Sequence, residues 1–300
     1  MKELPVWRSL MYVPVNVDKY VDKAHTRGAD CIQLDLEDSV PAAEKAAARK
    51  LVPAAAKRVR RAGADVVVRI NHDLAEADLQ ASICEDVDGI ALTKTQSVDH
   101  VRRIDAMIEA LEAKRGMRAG HTRLIAMIET PAAFFKMPEI AHASPRLVAM
   151  NIGGEDFATE VGMEPLEETL LMPKQQMIFA ARAAGLMPLG FIASVAGYGD
   201  WDAFRAMVRR SRKFGFMGAG CIHPGQVPIV NEEYSPSAEE IAWATKVVTE
   251  DAKHTAAGRA SWSLDGKMID VPVVTRAKGL LQRAAAIKAR EAKKSGSGSA

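Results

Sequence analysis

Apolar and polar positions alternate along this chain with two periods. Eight short apolar or β-branched runs recur: SLMYVPV (9–15), CIQLDLED (31–38), DVVVRIN (65–71), DGIALTK (88–94), RLIAMIET (123–130), LVAMNIGG (147–154), PLGFIAS (188–194) and GAGCIHP (218–224). Each has the length and composition of a strand. Between them lie segments such as AAEKAAARKLVPAAAKRVRR and SVDHVRRIDAMIEALEAKRG, rich in Ala, Leu, Glu, Lys and Arg at helical spacing. Strand and helix alternate eight times with no interrupting linker, which predicts an α/β fold, a TIM-type (β/α)8 barrel over residues 1–230. An open doubly wound sheet would have fewer strands and a Gly-rich first turn, absent here. From residue 231 the rhythm changes to SAEEIAWATKVV (237–248), SWSLDGKMID (261–270) and a helix from about Val271 to Lys294, a C-terminal helical extension over 231–294. The last residues, SGSGSA (295–300), are low-complexity and expected to be disordered.

The second run poses a chemical problem. Ile32, Leu34 and Leu36 alternate with Gln33, Asp35 and Glu37, and Asp38 follows. Both faces of a parallel barrel strand are buried, so the apolar set is expected to face helices and the acids to crowd the inner wall and upper rim. Carboxylates there are costly unless they meet cations, donors or a metal. Other strand ends offer partners: Arg69 and Asn71 on the third, Lys94 on the fourth, Glu129 on the fifth, Glu155 and Asp156 after the sixth, His223 on the eighth. Such barrels build catalytic sites where polar groups from several strand ends converge. Taken singly, each has a plain explanation: an arginine or lysine serves an ion pair, and Glu129, Glu155 and Asp156 cap the helices that follow. Taken together, two acids on adjacent strands with neither Cys nor His beside them make an oxygen-rich, incomplete cage suited to Mg2+. A metal held there polarises a carbonyl and stabilises an enolate.

Charge and composition narrow the partners. Lys plus Arg number 40 against 38 acids, so no net field draws the chain to nucleic acid or membrane, and a small-molecule substrate is expected. The basic cluster Arg205, Arg209, Arg210, Arg212 and Lys213 is expected to be a solvated helix face. Cys31, Cys84 and Cys221 stand in apolar contexts without CxxC spacing, which suits reduced core thiols, and the seven His show no metal-ligand spacing. Without a leader-like apolar segment or a long uncharged run, the expected location is the cytoplasm.

The stretches RSLMYVPVNVDKYVDKAHTRGADCIQLDLEDSVPAAEKAAAR, VVVRIN, AMIETP, GGEDFATEVG, CIHPGQVPIVNEEYSPSAEEIAWA and DGKMIDVPVV resemble a known family in order and over nearly the whole chain. It is the citrate lyase β-subunit-like family of HpcH/HpaI-type aldolases, which includes malyl-CoA and citramalyl-CoA lyases. The resemblance implies a TIM-like barrel that forms a homo-oligomer, a trimer or hexamer, and uses Mg2+, with Mn2+ as a substitute. It implies formation or cleavage of a carbon–carbon bond between an acyl thioester and a 2-oxo acid, CoA being part of the substrate rather than a bound cofactor. On matching positions, Glu129 and Asp156 would be metal ligands, Arg69 would bind and polarise the substrate, and Glu37 and Asp38 would orient Arg69. Tyr12, Lys23, Gly154, Glu155, His223 and Pro224 would complete the substrate site together with Arg69 and Glu129. Asp270 falls on the position of a general acid/base that the C-terminal segment, acting as a lid, carries across a subunit boundary. Its own surroundings, after the Asp265-Gly266 turn and before Pro272, read as a helix N-cap.

The chain departs from the family's usual pattern at its recognition rim. Pro14-Val15-Asn16-Val17-Asp18 stands where a PGNRP-like turn is usual, so Val17 replaces an arginine that would meet a CoA phosphate, while Lys23 matches a family lysine. Glu129-Thr130-Pro131-Ala132-Ala133 stands for ETARG and KTQS for KVES, and IASVAGYGDWDAF lacks an aspartate usual before the next helix. The leading expectation is a Mg2+-dependent lyase acting on a short hydroxy-dicarboxylic acyl-CoA thioester of the malyl-CoA or citramalyl-CoA type. A metal-dependent aldolase or lyase acting on a free 2-oxo or hydroxy acid, which Val17 favours, and an acyl-carrier-dependent citrate lyase subunit stand beside it. A binding or assembly subunit without turnover is opposed by the retained Glu129, Asp156 and Arg69.

Overall fold

Each apolar run contains or overlaps a strand in the computed structural model, which describes residues 4–194 and 199–297. The strands are β1 (Ser9–Pro14), β2 (Cys31–Asp35), β3 (Asp65–Ile70), β4 (Gly89–Leu92), β5 (Arg123–Ile128), β6 (Leu147–Ile152), β7 (Met187–Leu189) and β8 (Ala219–Cys221). All pair in parallel in the order β7-β6-β5-β4-β3-β2-β1-β8. A parallel bridge between Leu189 and Gly218 brings β7 to β8, and the Gly190 N–H donates to the Gly218 carbonyl at 2.8 Å. Closure depends on a glycine, because a Cβ on Gly218 would lie 1.8 Å from the Trp7 carbonyl oxygen. The eight strands and intervening helices form the expected (β/α)8 barrel.

Alternation sorts the side chains into two layers. Ile32, Leu34 and Leu36 pack beneath the helices with Val66, Val68, Ile90 and Leu92. Leu10, Cys31, Val67, Ala91, Ile125, Met127 and Met187 fill the interior together with Trp7, whose indole N–H donates to Asp65 Oδ2 at 2.7 Å. Toward the strands' C-terminal ends the interior turns polar, which places catalytic chemistry at that end and packing below it. The strands stop sooner than the apolar runs because polar side chains capture the backbone there: the Asp35 carboxylate accepts the Glu37 and Ser39 N–H groups at 2.9 and 3.2 Å and turns the chain out of the sheet.

Outer elements follow local signals. Ser97 caps the helix Val98–Lys114 by accepting the His100 N–H. The basic cluster lies on the helix Trp201–Phe214, where Arg205 and Arg209 pair with Glu233 and Arg210 with Glu167, so much of its charge is neutralised locally. The three cysteines are free thiols, Cys31 and Cys221 fully buried.

Ser235–Gly296 form a second compact unit, the first running to Tyr234. It consists of the helix Ala238–Ala256, a hairpin of β9 (Trp262–Leu264) and β10 (Lys267–Ile269), and the helix Val271–Ser297. Asp265 and Gly266 both have positive φ, 50° and 77°, the pair of left-handed residues that a two-residue type I′ hairpin needs. Ala244, Val247, Leu264, Ile269, Val274 and Ala277 make its small core. The last helix runs to Ser297 rather than ending at Lys294, because extending a long helix adds a hydrogen bond per residue without a new nucleus. The remaining tail residues, and 195–198 within IASVAGYGDWDAF, lie outside the described residues. No helix among the described residues is long and apolar enough to cross a membrane.

Candidate active site

Asp35 and Arg69 are register partners on the adjacent parallel strands β2 and β3, so their side chains leave the sheet on the same face. The arginine fork closes on the carboxylate, Nε to Oδ1 at 2.8 Å and Nη2 to Oδ2 at 2.7 Å. Nη1 donates to Asp38 Oδ2 at 3.0 Å and lies 2.7 Å from Glu37 Oε2. The guanidinium sits over the Tyr12 ring, 5.0 Å from its centroid. Glu37 and Asp38 both reach the Arg69 guanidinium, but its bidentate partner is Asp35, which the sequence reading left without a role. Burial pushes the Asp35 carboxyl up, and Arg69 overcomes it, holding the group below the usual range. Burial also works against the Arg69 cation, and Asp35 reverses that too, raising its pKa. Glu37, buried beside the Asp38 and Asp35 charges, is pushed up to about 7 despite Arg69. Burial raises the Tyr12 hydroxyl.

Glu129 follows β5 and is 3% exposed. Its Oε2 accepts the Lys94 N–H at 2.7 Å, from a residue held at φ 46°. The chain leaving β6 passes directly over this carboxylate: a Cβ on Gly153 would lie 2.8 Å from Glu129 Cγ and Oε1. Glycine is required by that approach. Burial pushes the Glu129 carboxyl up to about 8, with the charges of Asp156 and Glu37 adding to the shift and the Lys94 amide opposing it. Among the described residues no cation pairs with it. Asp156 stands exposed in the first turn of the helix Gly154–Val161.

The helix-capping explanation fails at these acids. Thr130, not Glu129, caps the helix Pro131–Phe134, and Gly153 precedes the helix Gly154–Val161 without a side-chain cap. Tyr12, Asp35, Asp38, Arg69, Glu129, Gly154, Glu155 and Asp156 instead line one cavity of about 510 Å³. Asn151 also lines it, and its buried Oδ1 has no hydrogen-bond partner. A buried carboxylate without a cation, an exposed carboxylate and an orphaned amide oxygen form an all-oxygen donor set, which fits Mg2+ rather than a softer ion. Among the described residues no three His, Cys, Asp or Glu side chains converge on one point, so protein carboxylates would supply only part of the shell.

Lys174 also lines the cavity and is 4% exposed. The sequence reading missed it, although it lies with Leu170, Met177 and Ala181 on the buried stripe of the helix Glu167–Ala183. A lysine at a core position of a helical repeat is the signal that could have found it. Glu155 is held by the Ser194 hydroxyl. Lys23 is exposed on the helix Asp18–Ala24. His223 accepts the Gly225 N–H at 3.0 Å through Nδ1 and packs on Trp201, while Pro224 is exposed. Lys23, His223 and Pro224 are not among the cavity's lining residues. Asp270 belongs to the second unit, where its Oδ1 accepts the Val273 N–H at 3.3 Å, the capping contact that its local sequence suggests.

Comparison with known proteins agrees with this arrangement. Residues 8–224 match the HpcH/HpaI aldolase/citrate lyase family. The citrate lyase subunit beta of Leuconostoc mesenteroides subsp. cremoris is 33% identical over 92% of this chain and 93% of its own length. The human mitochondrial citramalyl-CoA lyase is 28% identical over 94% of this chain and 86% of its own. The crystal structure of protein CitE from Mycobacterium tuberculosis, in complex with magnesium, acetoacetate and coenzyme A, superposes with a TM-score of 0.69 at 25% identity, covering 95% of this chain and all of that one.

Proposed function

The chain belongs to the HpcH/HpaI aldolase/citrate lyase family, and from that premise we propose a Mg2+-dependent carbon–carbon lyase that cleaves or forms a short hydroxy-dicarboxylic acyl-CoA thioester. The observation that carries this reading is Glu129: a buried carboxylate, without a cation among the described residues, facing the same cavity as Asp156 and Arg69. Relatives that act as citrate lyase subunits or citramalyl-CoA lyases, and a structural neighbour that binds magnesium and coenzyme A, support it.

Glu129 and Asp156 would hold the ion. A divalent cation there supplies positive charge against the enolate that bond cleavage leaves. Arg69 would hold the oxygen that becomes the oxo acid's carbonyl, and the Asp35 clamp fixes its plane so that little reorganisation accompanies reaction. In cleavage, the hydroxyl of the thioester loses its proton, the adjacent carbon–carbon bond breaks, and its electron pair passes to the carbon beside the thioester. A proton then returns to that carbon. We assign this transfer to Asp270, reaching a neighbouring subunit's barrel in a homotrimer or hexamer.

A second reading rests on Val17 and Lys23. With an arginine absent from the first βα turn and Lys23 exposed away from the cavity lining, CoA affinity is expected to be weak, which leaves a free acid or a carrier-protein thioester as substrate. Incubation with Mg2+, acetyl-CoA or propionyl-CoA, and glyoxylate, pyruvate or oxaloacetate, followed by mass spectrometry, tests the proposal. A hydroxyacyl-CoA product lost in EDTA supports it. Absence of product from every pairing, or turnover unaffected by EDTA, refutes it in favour of the second reading or of another chemistry.

A further inference from the structure

Arg69 is crowded by carboxylates. Asp35 takes Nε and Nη2, Asp38 accepts from Nη1 at 3.0 Å, and Glu37 Oε2 lies 2.7 Å from that same nitrogen. Acids from three positions around one guanidinium present negative charge to any anion that approaches it. A substrate carboxylate that meets Arg69 therefore has to take the place of one of them.

The three differ in how firmly they are held. Asp35 is buried and also accepts the Glu37 and Ser39 N–H groups, so its release would strand two donors and a buried charge. The Glu37 side chain is 13% exposed and does not line the cavity. The Asp38 side chain is 65% exposed and does line it, so water solvates this carboxylate as soon as it lets go, and an ion pair so exposed is weak. The backbone beneath it is pinned. The Leu36 N–H donates to the Arg69 carbonyl at 3.0 Å, and the Leu36 carbonyl accepts Asn71 Nδ2 at 2.8 Å and Lys45 Nζ at 3.2 Å. Lys45 Nζ also reaches the Glu37 carbonyl at 2.9 Å, which accepts the Val40 N–H at 3.1 Å. Release of Asp38 is thus the rotation of one exposed side chain, a fast event that needs no loop movement.

We propose that the Asp38 carboxylate is a place-holder, which the carboxylate of the 2-oxo acid displaces from Arg69 Nη1 while Asp35 keeps the guanidinium in its plane. The inference rests on the lyase reading above, in which a 2-oxo acid occupies this cavity against Arg69. Asp38 then opposes substrate binding, the reverse of the orienting role that the family resemblance implies. The exchange admits ligands that bring a carboxylate of their own, because a neutral oxygen is a poorer acceptor than the anion it would replace.

Calorimetric titration of the full chain in Mg2+ with pyruvate, comparing the wild type with Asp38→Asn and Asp38→Ala, tests it. Both variants change an exposed side chain and are expected to fold. Each removes the competing anion, so pyruvate is expected to bind about threefold to fivefold tighter, the strength of one exposed ion pair. A damaged site would bind less tightly, so a gain in affinity separates competition from a structural role. If neither variant binds pyruvate more tightly than the wild type does, Asp38 orients Arg69 and the inference falls while the lyase reading stands. If neither the wild type nor a variant binds pyruvate, glyoxylate or oxaloacetate, the lyase reading falls and this inference with it.

Discussion

Replacing Glu129 by Gln should stabilise the metal-free protein at neutral and alkaline pH and do little in acid. Its carboxyl, ordinarily near 4.5, is pushed up to about 8 by burial and by the Asp156 and Glu37 charges. Between these values the folded protein keeps a proton that the unfolded chain gives up, so stability falls as pH rises through this window and the cost is complete above it. At about 1.4 kcal/mol per unit, ionising this buried group costs about 4 kcal/mol near pH 8 and about 1 kcal/mol near pH 5. Glutamine keeps the size and an oxygen for the Lys94 N–H, but carries no charge. At about 2–4 °C per kcal/mol for a unit of this length, melting in EDTA should rise by about 10 °C near pH 8 and by about 2–3 °C near pH 5. A hundredfold excess of Mg2+ over Kd should narrow the gap near pH 8 and reverse the order near pH 5, because the wild type gains about 2.7 kcal/mol while the variant gains little. A variant that melts lower than wild type at both pH values, or gains equally at both, would show that the carboxylate serves packing and refute the argument.

Arg69→Lys should lower turnover by about a hundredfold or more, since an ammonium cannot reproduce the fork held by Asp35 and small misplacements are costly at a reacting carbonyl; full turnover with an earlier melt would reduce Arg69 to an ion-pair residue. Asp156→Ala should abolish Mg2+-dependent turnover and Mg2+-induced thermal stabilisation while changing metal-free stability by less than about 0.5 kcal/mol, as expected for an exposed side chain. Asp270→Asn should lose turnover without loss of stability, because asparagine caps a helix as well as aspartate does. Mixing it with Glu129→Gln subunits should then restore part of the activity, and normal turnover by Asp270→Asn would leave Asp270 as a cap alone.

Much of the barrel is legible along the chain because its signals are local. Alternation at Ile32, Leu34 and Leu36 reports which side of β2 meets helices, and Asp265-Gly266 reports a tight hairpin, since each depends on neighbours a few residues away. Glu129, Arg69 and Asp156 stand out for a related reason: a charge at the end of an apolar strand must be explained wherever that strand goes. The roles within the site are another matter. Glu37 and Asp38 look equivalent to Asp35 in sequence, and only the register that sets Asp35 opposite Arg69 makes it the bidentate partner.

Strand number, strand order and the inward or outward face of each residue were set by periodicity, a property of adjacent positions that the chain carries before it folds. Register between strands, closure of β7 onto β8 through Gly218, the passage of Gly153 over Glu129, and the burial of Lys174 in the cavity wall were decided by the tertiary structure. Each joins residues far apart in sequence. Their energies come from burial and from the charges brought near, and neither exists until the barrel has closed.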